Sequence, residues 1–492
     1  MYSNKQICSN FVPQFLTKHF WMRHFVLNRK GFTVIFLIFI LFSCINRDKG
    51  LLRSDDGTRD LAQILAEGKL VAITDYNSTN YFLYKGEPMG YQFEMLYSLA
   101  SFLGVKLEMV AENDLEKSFK MLRKSEGDII ASNLTVTKER KKYFNFTIPH
   151  SQTRQVLVQR KVADEKGMPS GKLIRNPLEL DKKVVYVQKN SSYATRLKHL
   201  SEEIGGAINV VEMEKYEAEQ LVQLVSSGEI EYTVCDENIA RVQAALYQNI
   251  DVETAVGFPQ NLAWAVRKTS PDLQHKVDEW LARFVQSADY RIIKNKYFNN
   301  PTLTRMMKSD YFYVHDGKLS DYDEQLKVIS NELNWDWRLL ASMIYQESRF
   351  QHDVESRSGA YGLMQFMPTT AERFGIEHKA SADIQLEAGV KYLKLLEERM
   401  KDNRIPEKER IKFILAAYNA GIGHVLDARN LARKYGKNPN VWDNNVEFYI
   451  QNKSDFSGDS VVRFGSLKGK ETYRYVSDIL ERYQHYKNIV KQ

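Results

Sequence analysis

The sequence predicts a multidomain chain: a two-lobed α/β region followed by a mainly α domain. Three observations carry this. Apolar strand-like runs alternate with amphipathic helical runs between about residues 67 and 299. The alternation begins twice, at GKLVAITDYNS (68–78) and again at KKVVYVQKNSS (182–192). From about Leu319 onward only helical periodicity is left. A length of 492 residues accommodates two or three domains.

Residues 1–43 hold Lys5, Lys18, Arg23, Arg29 and Lys30 and no acid. The apolar run Phe32–Phe42 is short for a membrane span and suits the core of a signal peptide. LFSC then resembles a lipobox, with Leu41 at −3, Ser43 at −1 and Cys44 as the lipidated residue. The 21 residues before Met22 are surplus to such a signal, so Met22 is a second candidate start. The expectation is a chain held to a lipid bilayer through Cys44, with its bulk outside the cytoplasm. No Asp stands at the next-but-one position after Cys44, which by analogy favours the periplasmic face of the outer membrane.

Residues 44–66 read as the lipidated cysteine and a polar tether. KLVAIT is a strand, YQFEMLYSLASFLG a helix ending at Gly104, and KLEMVA a strand. LEKSFKMLRKSEG is a helix closed by Gly127, and DIIASN a strand. LVSSGEIEYTVCD echoes LRKSEGDIIASN, which points to two similar lobes with largely parallel sheets, the second spanning about 156–255. Residues 300–325 read as a linker and 326–492 as the helical domain, with Asp336 capping the helix that carries Glu347.

The formal charge of +7 misleads. Without residues 1–43 the chain holds 64 bases against 62 acids, so no nucleic-acid partner is expected. Cys8, Cys44 and Cys235 cannot build a disulfide framework or a metal cluster.

One residue is chemically out of place. In ASMIYQESRF, Glu347 follows Leu340, Met343 and Ile344 at i+7, i+4 and i+3, on their apolar face. A carboxyl there is either a buried structural partner or an acid kept protonated by loss of solvation. Downstream, SRSGAYGLMQFMPTT offers glycine turns, the Gln365 amide and apolar Met367, and AAYNAGIGHV offers Tyr418 and Asn419. In the α/β region SNLTVTKER follows a strand, placing Asn133, Thr135 and Arg140 at the sheet edge where open α/β folds bind ligands.

Taken together, four blocks resemble the goose-lysozyme-like domain of lytic transglycosylases. They are Glu347–Ser348, Ser356–Gln365, AYNAG at 417–421 and ETYRYV at 471–476. The resemblance implies an all-α lysozyme-like fold acting on peptidoglycan glycan strands, with no cofactor and no metal. Most glycosidases need two carboxylates. This family uses one, here Glu347, first as acid and then as base, because the muramoyl C6 hydroxyl is the nucleophile. The carry-over makes Ser356, Gln365, Met367 and Tyr418 substrate-binding, with Tyr418 beside the catalytic carboxyl. Asn419, Glu471 and Tyr475 chiefly hold the cleft in shape.

Residues 67–299 resemble the periplasmic solute-binding proteins for amino acids through GYQFEMLYSLASFLGVKLEMV, GDIIASNLTVTKERKKYFNFTIPH, VYVQKNSS and VCDENIA. That implies two lobes closing on an amino acid or muropeptide. Arg140, Ser191 and Ser192 would meet its carboxylate, Asn133 and Thr135 would hydrogen-bond to it, and Asp236 would hold its amine. Tyr81 and Phe82 stand as wall residues, and Lys189 replaces a common glycine. Two other readings fit the same residues: a hydrolase with Glu355 or Asp353 as second carboxylate, and a non-catalytic murein or solute binder.

Overall fold

The computed structural model describes residues 59–163, 169–299, 301–309, 312–313 and 318–490; Cys44 and the apolar run before it lie outside the described residues. Order begins earlier than expected. Asp60 and Gln63 form a reciprocal capping box on the helix Leu61–Glu67. Its Ile64 is fully buried, so the end of the expected tether is part of the fold.

The first lobe is a five-stranded sheet in the order Lys106–Ala111, Lys69–Thr74, Ile129–Ile130, Ala265–Arg267, Phe144–Phe146. The second runs Asn209–Met213, Val184–Gln188, Tyr232–Asp236, Gln155–Arg160, Ile250–Ala255. In both, the first two pairings are parallel and the last two antiparallel. The sheets are therefore mixed rather than largely parallel. The chain leaves the first lobe before Gln155 and returns at Ala265, and each arriving strand enters its sheet antiparallel. Between these strands lies a two-stranded ribbon, Ser151–Thr153 with Gln260–Leu262.

The helix Leu115–Arg123 ends before Gly127, because Ser125 takes the left-handed turn at φ 58°. Gly127 answers a different need: a Cβ there would lie 2.6 Å from the Ile73 side chain.

The C-terminal part is helical. Its C-terminal helix, Gly469–Ile489, packs against the Glu347 helix, Trp337–Ser348, and against Glu407–Ala420. It also packs against the first lobe, and one hydrophobic core runs through both modules. The seam is built on a hairpin, Phe82–Tyr84 with Glu87–Met89, extended by Phe312–Tyr313 from the expected linker. Tyr486 O–H donates to the Gly86 carbonyl at 3.1 Å, and Tyr81 Oη lies 2.7 Å from His485 Nδ1. Asn488 Nδ2 donates to the Met109 carbonyl at 2.5 Å, and Arg482 faces Glu87 at 3.4 Å. Tyr81 and Phe82 are fully buried in this seam and its core, and so do not line the ligand cleft. The Phe82 ring lies 4.9 Å from that of Phe312.

Gly86 is the closest approach. At φ +78° a Cβ would stand 2.5 Å from the Tyr345 ring and 2.8 Å from Tyr486 Oη. Gly68 has φ +65° with nothing within 4 Å. Gly68→Ala should therefore cost only the left-handed penalty of about 1–2 kcal/mol in urea unfolding. Gly86→Ala should cost ~1–3 kcal/mol more through overpacking. Equal losses would exclude the seam contact as the cause.

Candidate active site

Asp336 starts the Glu347 helix, accepting from the Arg338 N–H at 3.0 Å. Leu340, Met343 and Ile344 anchor the helix in the core. Glu347 sits half-buried in its last turn. The helix stops at once, because Arg349 and Phe350 take φ 52° and 63°. Left-handed backbone costs a non-glycine residue about 1–2 kcal/mol, so two in succession mark an over-determined turn.

Tyr475 O–H, from the C-terminal helix, donates to Glu347 Oε1. Loss of solvation pushes the Glu347 carboxyl up to about 7, and the Tyr475 hydrogen bond pulls the other way. Among the described residues no cation and no second carboxylate adds to this balance. Tyr418 also lies within electrostatic reach, and burial beside Glu347 drives its phenol well above the usual range. Its O–H donates to the Met364 carbonyl at 2.7 Å. Tyr418 thus stands beside the carboxyl as expected and braces the loop, while Tyr475 is the phenol that bonds to it.

That loop is held from within. Ser356 Oγ accepts from the Ala360 N–H at 2.9 Å, closing the SRSGA turn. Gln365, at φ 47°, donates its amide to the carbonyls of Val354 and Gly362 at 3.2 and 2.9 Å. Its Oε1 is left as an acceptor. Met367 is 44% exposed at the start of the helix Pro368–Arg373, where its thioether can meet a ligand.

Gln385 holds this loop, a role that no local pattern announces. This fully enclosed amide accepts from Leu363 N–H at 2.6 Å and donates to the carbonyls of Ala380 and His352 at 2.7 and 3.0 Å. Gly362 must be glycine because a Cβ would fall 2.1 Å from Gln385 Oε1.

Asn419 Oδ1 accepts from Thr472 O–H at 2.8 Å, tying the AYNAG block to the C-terminal helix. Glu471 is exposed. Glu355 is exposed and faces His378 at 3.6 Å, and Asp353 is exposed. Nothing sets either up as a partner of Glu347.

A second site lies between the lobes. Asn133, Thr135, Arg140, Ser191, Ser192 and Asp236 all line one cavity of about 90 Å³. Arg140 donates to the Thr135 carbonyl at 3.0 Å, and Ser192 Oγ reaches Thr135 Oγ1 at 3.4 Å across the lobes. Asn133 is bonded on both sides, to Gln92 and to Asn80 at 3.2 Å each. Asp236 Oδ2 accepts from Tyr193 O–H at 3.2 Å.

Comparison with known proteins finds two families along the chain. The model of the transglycosylase SLT domain matches residues 326–441, and that of bacterial extracellular solute-binding proteins, family 3, matches 69–300. The membrane-bound lytic murein transglycosylase F of Desulfosudis oleivorans is 30% identical over 441 residues, covering 88% of this chain and 92% of its own. The protein of that name from Idiomarina loihiensis is 30% identical over 433 residues, covering 87% and 91%. Among solved structures, holo ArgBP from T. maritima aligns over 48% of this chain and 99% of its own, with 24% identity and a TM-score of 0.40.

The hydrogen bond from Tyr475 favours the charged carboxylate, so its loss must raise the Glu347 pKa further. A ¹³C NMR titration of the Glu347 carboxyl should show a midpoint near 7 that moves upward in Tyr475→Phe. An unmoved or lowered midpoint would remove Tyr475 from this role.

Proposed function

We propose that this chain, which belongs to the family of membrane-bound lytic murein transglycosylases F, cuts the bond between N-acetylmuramic acid and N-acetylglucosamine without water, leaving 1,6-anhydromuramoyl ends. It is a lyase acting on peptidoglycan. The observation supporting the finer reading is a carboxyl raised to about 7 whose one hydrogen-bond partner among the described residues is a neutral phenol.

A group with that pKa is protonated often enough at neutral pH to act as an acid, and basic enough afterwards to take a proton back. Glu347 gives its proton to the glycosidic oxygen as the bond to muramoyl C1 breaks. The resulting carboxylate sits beside the positive charge developing on that sugar. It then removes the C6 hydroxyl proton while O6 closes onto C1. Atoms balance with no added water, and no second carboxylate is required. Tyr475 tempers the carboxylate without quenching it, as a cation in its place would. Gln365 Oε1 and Met367 offer one polar and one apolar contact to the sugars.

The solute-binding module is read as a sensor for an amino acid or a wall fragment. Its first lobe docks on the helix that carries Tyr475 and, through Gly86, on Tyr345, two residues before Glu347. Calorimetry with amino acids and muropeptides showing no binding, together with unchanged turnover in Arg140→Ala, would remove that role. Among the described residues no helix is long and apolar enough to cross a membrane. Lipidation of Cys44, at the periplasmic face of the outer membrane, is our reading of the anchor. Cys44→Ser should move the protein from the membrane to the soluble fraction, and retention there would refute the anchor.

Glu347→Gln should lower cleavage of sacculi by about 10²–10⁴-fold while sparing sacculus binding. Substantial residual turnover overturns the assignment. Product masses decide the chemistry: anhydro ends support the lyase, ends heavier by one water indicate a hydrolase, and no products indicate a binder. Because the folded pKa of Glu347 is raised from 4.5 to about 7, the fold loses stability as pH climbs between these two values, and the loss is complete above about 7. The same substitution should thus raise the melting temperature more at pH 8 than at pH 5.

A further inference from the structure

The interlobe cavity is acidic in a way that a neutral amino acid cannot satisfy. Arg140 is the one base in its lining, against Asp75, Glu112, Glu217, Glu219 and Asp236. The acids fall into two places. Asp236 belongs with Arg140 and Tyr193, whose phenol it accepts. It is 1% exposed, and its Oδ1 has no hydrogen-bond partner among the described residues. Ser191 Oγ is likewise buried and unpartnered. Arg140 forms no ion pair among the described residues; its guanidinium donates to the Thr135 carbonyl and lies 5.7 Å over the Phe119 ring. A carboxylate on Arg140 and Ser191, with an ammonium on Asp236 Oδ1, would complete these groups.

Of the remaining acids, Glu112 is already paired with Lys117, and Asp75, Glu217 and Glu219 form the other end. Asp75 accepts from the Asn80 amide at 2.9 and 3.0 Å and from Asn77. Glu219 accepts from Ser78 N–H and O–H at 3.1 and 2.7 Å, across the lobes. Glu217 accepts from the Asn113 amide. Every one of these donors is neutral. Lost solvation, and the charge each carboxylate feels from its neighbours, raises Glu217 to about 8 and Glu219 to about 7. A carboxylate has about four acceptor positions, so each retains capacity for a further donor.

We propose that this cleft takes an amino acid with a free α-ammonium, a free carboxylate and a second, cationic group on its side chain, held by Asp75, Glu217 and Glu219. The inference rests on the reading that the interlobe cleft binds a ligand. A zwitterion alone would satisfy Arg140 and Asp236 and leave the acceptor positions of Asp75, Glu217 and Glu219 without a cationic donor. The side-chain cation is the specificity element, because at short range one uncompensated charge outweighs an apolar contact.

The test is calorimetry on the full chain with L-lysine, L-arginine, L-leucine and L-glutamate. Lysine or arginine should bind at least about tenfold more tightly than leucine, and glutamate should not bind. Blocking the α-amine, as in Nα-acetyl-lysine, should weaken binding through Asp236. Glu217→Gln with Glu219→Gln keeps the neutral hydrogen bonds and the shape of the site. In that variant, with an unchanged melting temperature and retained leucine binding, the preference for lysine or arginine should disappear. Leucine binding as tightly as both basic amino acids, or a preference that survives the double substitution, overturns the proposal while leaving a ligand-binding cleft. No heat with any amino acid or muropeptide overturns the ligand-binding reading itself, and this proposal with it.

Discussion

The hydrogen bond from Tyr475 to Glu347 depends on where one helix lies, and most of the molecule takes part in fixing it. The C-terminal helix begins at Gly469, where a Cβ would fall 1.5 Å from the Ile450 carbonyl oxygen, so its start is pressed against backbone. Along its length, Arg482 lies 4.5 Å over the Tyr345 ring and donates to Gln346 at 3.1 Å. Its far end is held by the first lobe. A carboxyl on an apolar face is costly unless it is paired or neutral. Here a single neutral donor leaves it between the two states, which suits a group that must give a proton and then take one.

The two clefts apply the same physics in opposite directions. Around Glu347 no charged neighbour contributes among the described residues, and lost solvation outweighs the Tyr475 hydrogen bond. Between the lobes the carboxyl groups are crowded together, and what is missing is a cation. In both places the backbone is committed in advance. Gln385 pins the SGAYGLMQ loop, and buried Lys453 pairs with Asp427 at 2.9 Å. That aspartate in turn accepts from the N–H groups of Arg463 and Phe464 at 3.0 and 2.8 Å, in the segment that leads into the C-terminal helix. A buried pair of this kind adds little net stability, but it fixes where a segment lies.

Much of this was legible from the residues. Helical spacing placed Glu347 on an apolar face, and the cap at Asp336 and the end at Gly104 follow from local chemistry. That Tyr475 makes the bond to Glu347 was missed because spacing along a chain cannot say which of two phenols on different helices reaches a given carboxyl. Tyr81 and Phe82 were misplaced for the same reason: an apolar pair beside a sheet edge looks alike whether a ligand or another domain covers it. Gln385 and Lys453 carry no local signal, since a polar residue on a helix is usually solvated, and only tertiary packing buries these two. The mixed sheets escaped because strand direction depends on how the chain passes between lobes, which alternation does not encode.

The shared seam also bears on how such a chain can change over generations. Modules joined by a tether can be shuffled, lost or replaced, because each keeps its own surface. Here the hairpin tip fits under Tyr345 with no room for a side chain, and Tyr81 reaches His485 across the join. A descendant that shed the solute-binding half would expose Tyr345, His485 and Tyr486 together and would have to rebuild that face at once. The fusion therefore resists undoing: parting the halves demands simultaneous compensation at each of these positions, whereas a change within either cleft does not touch the join.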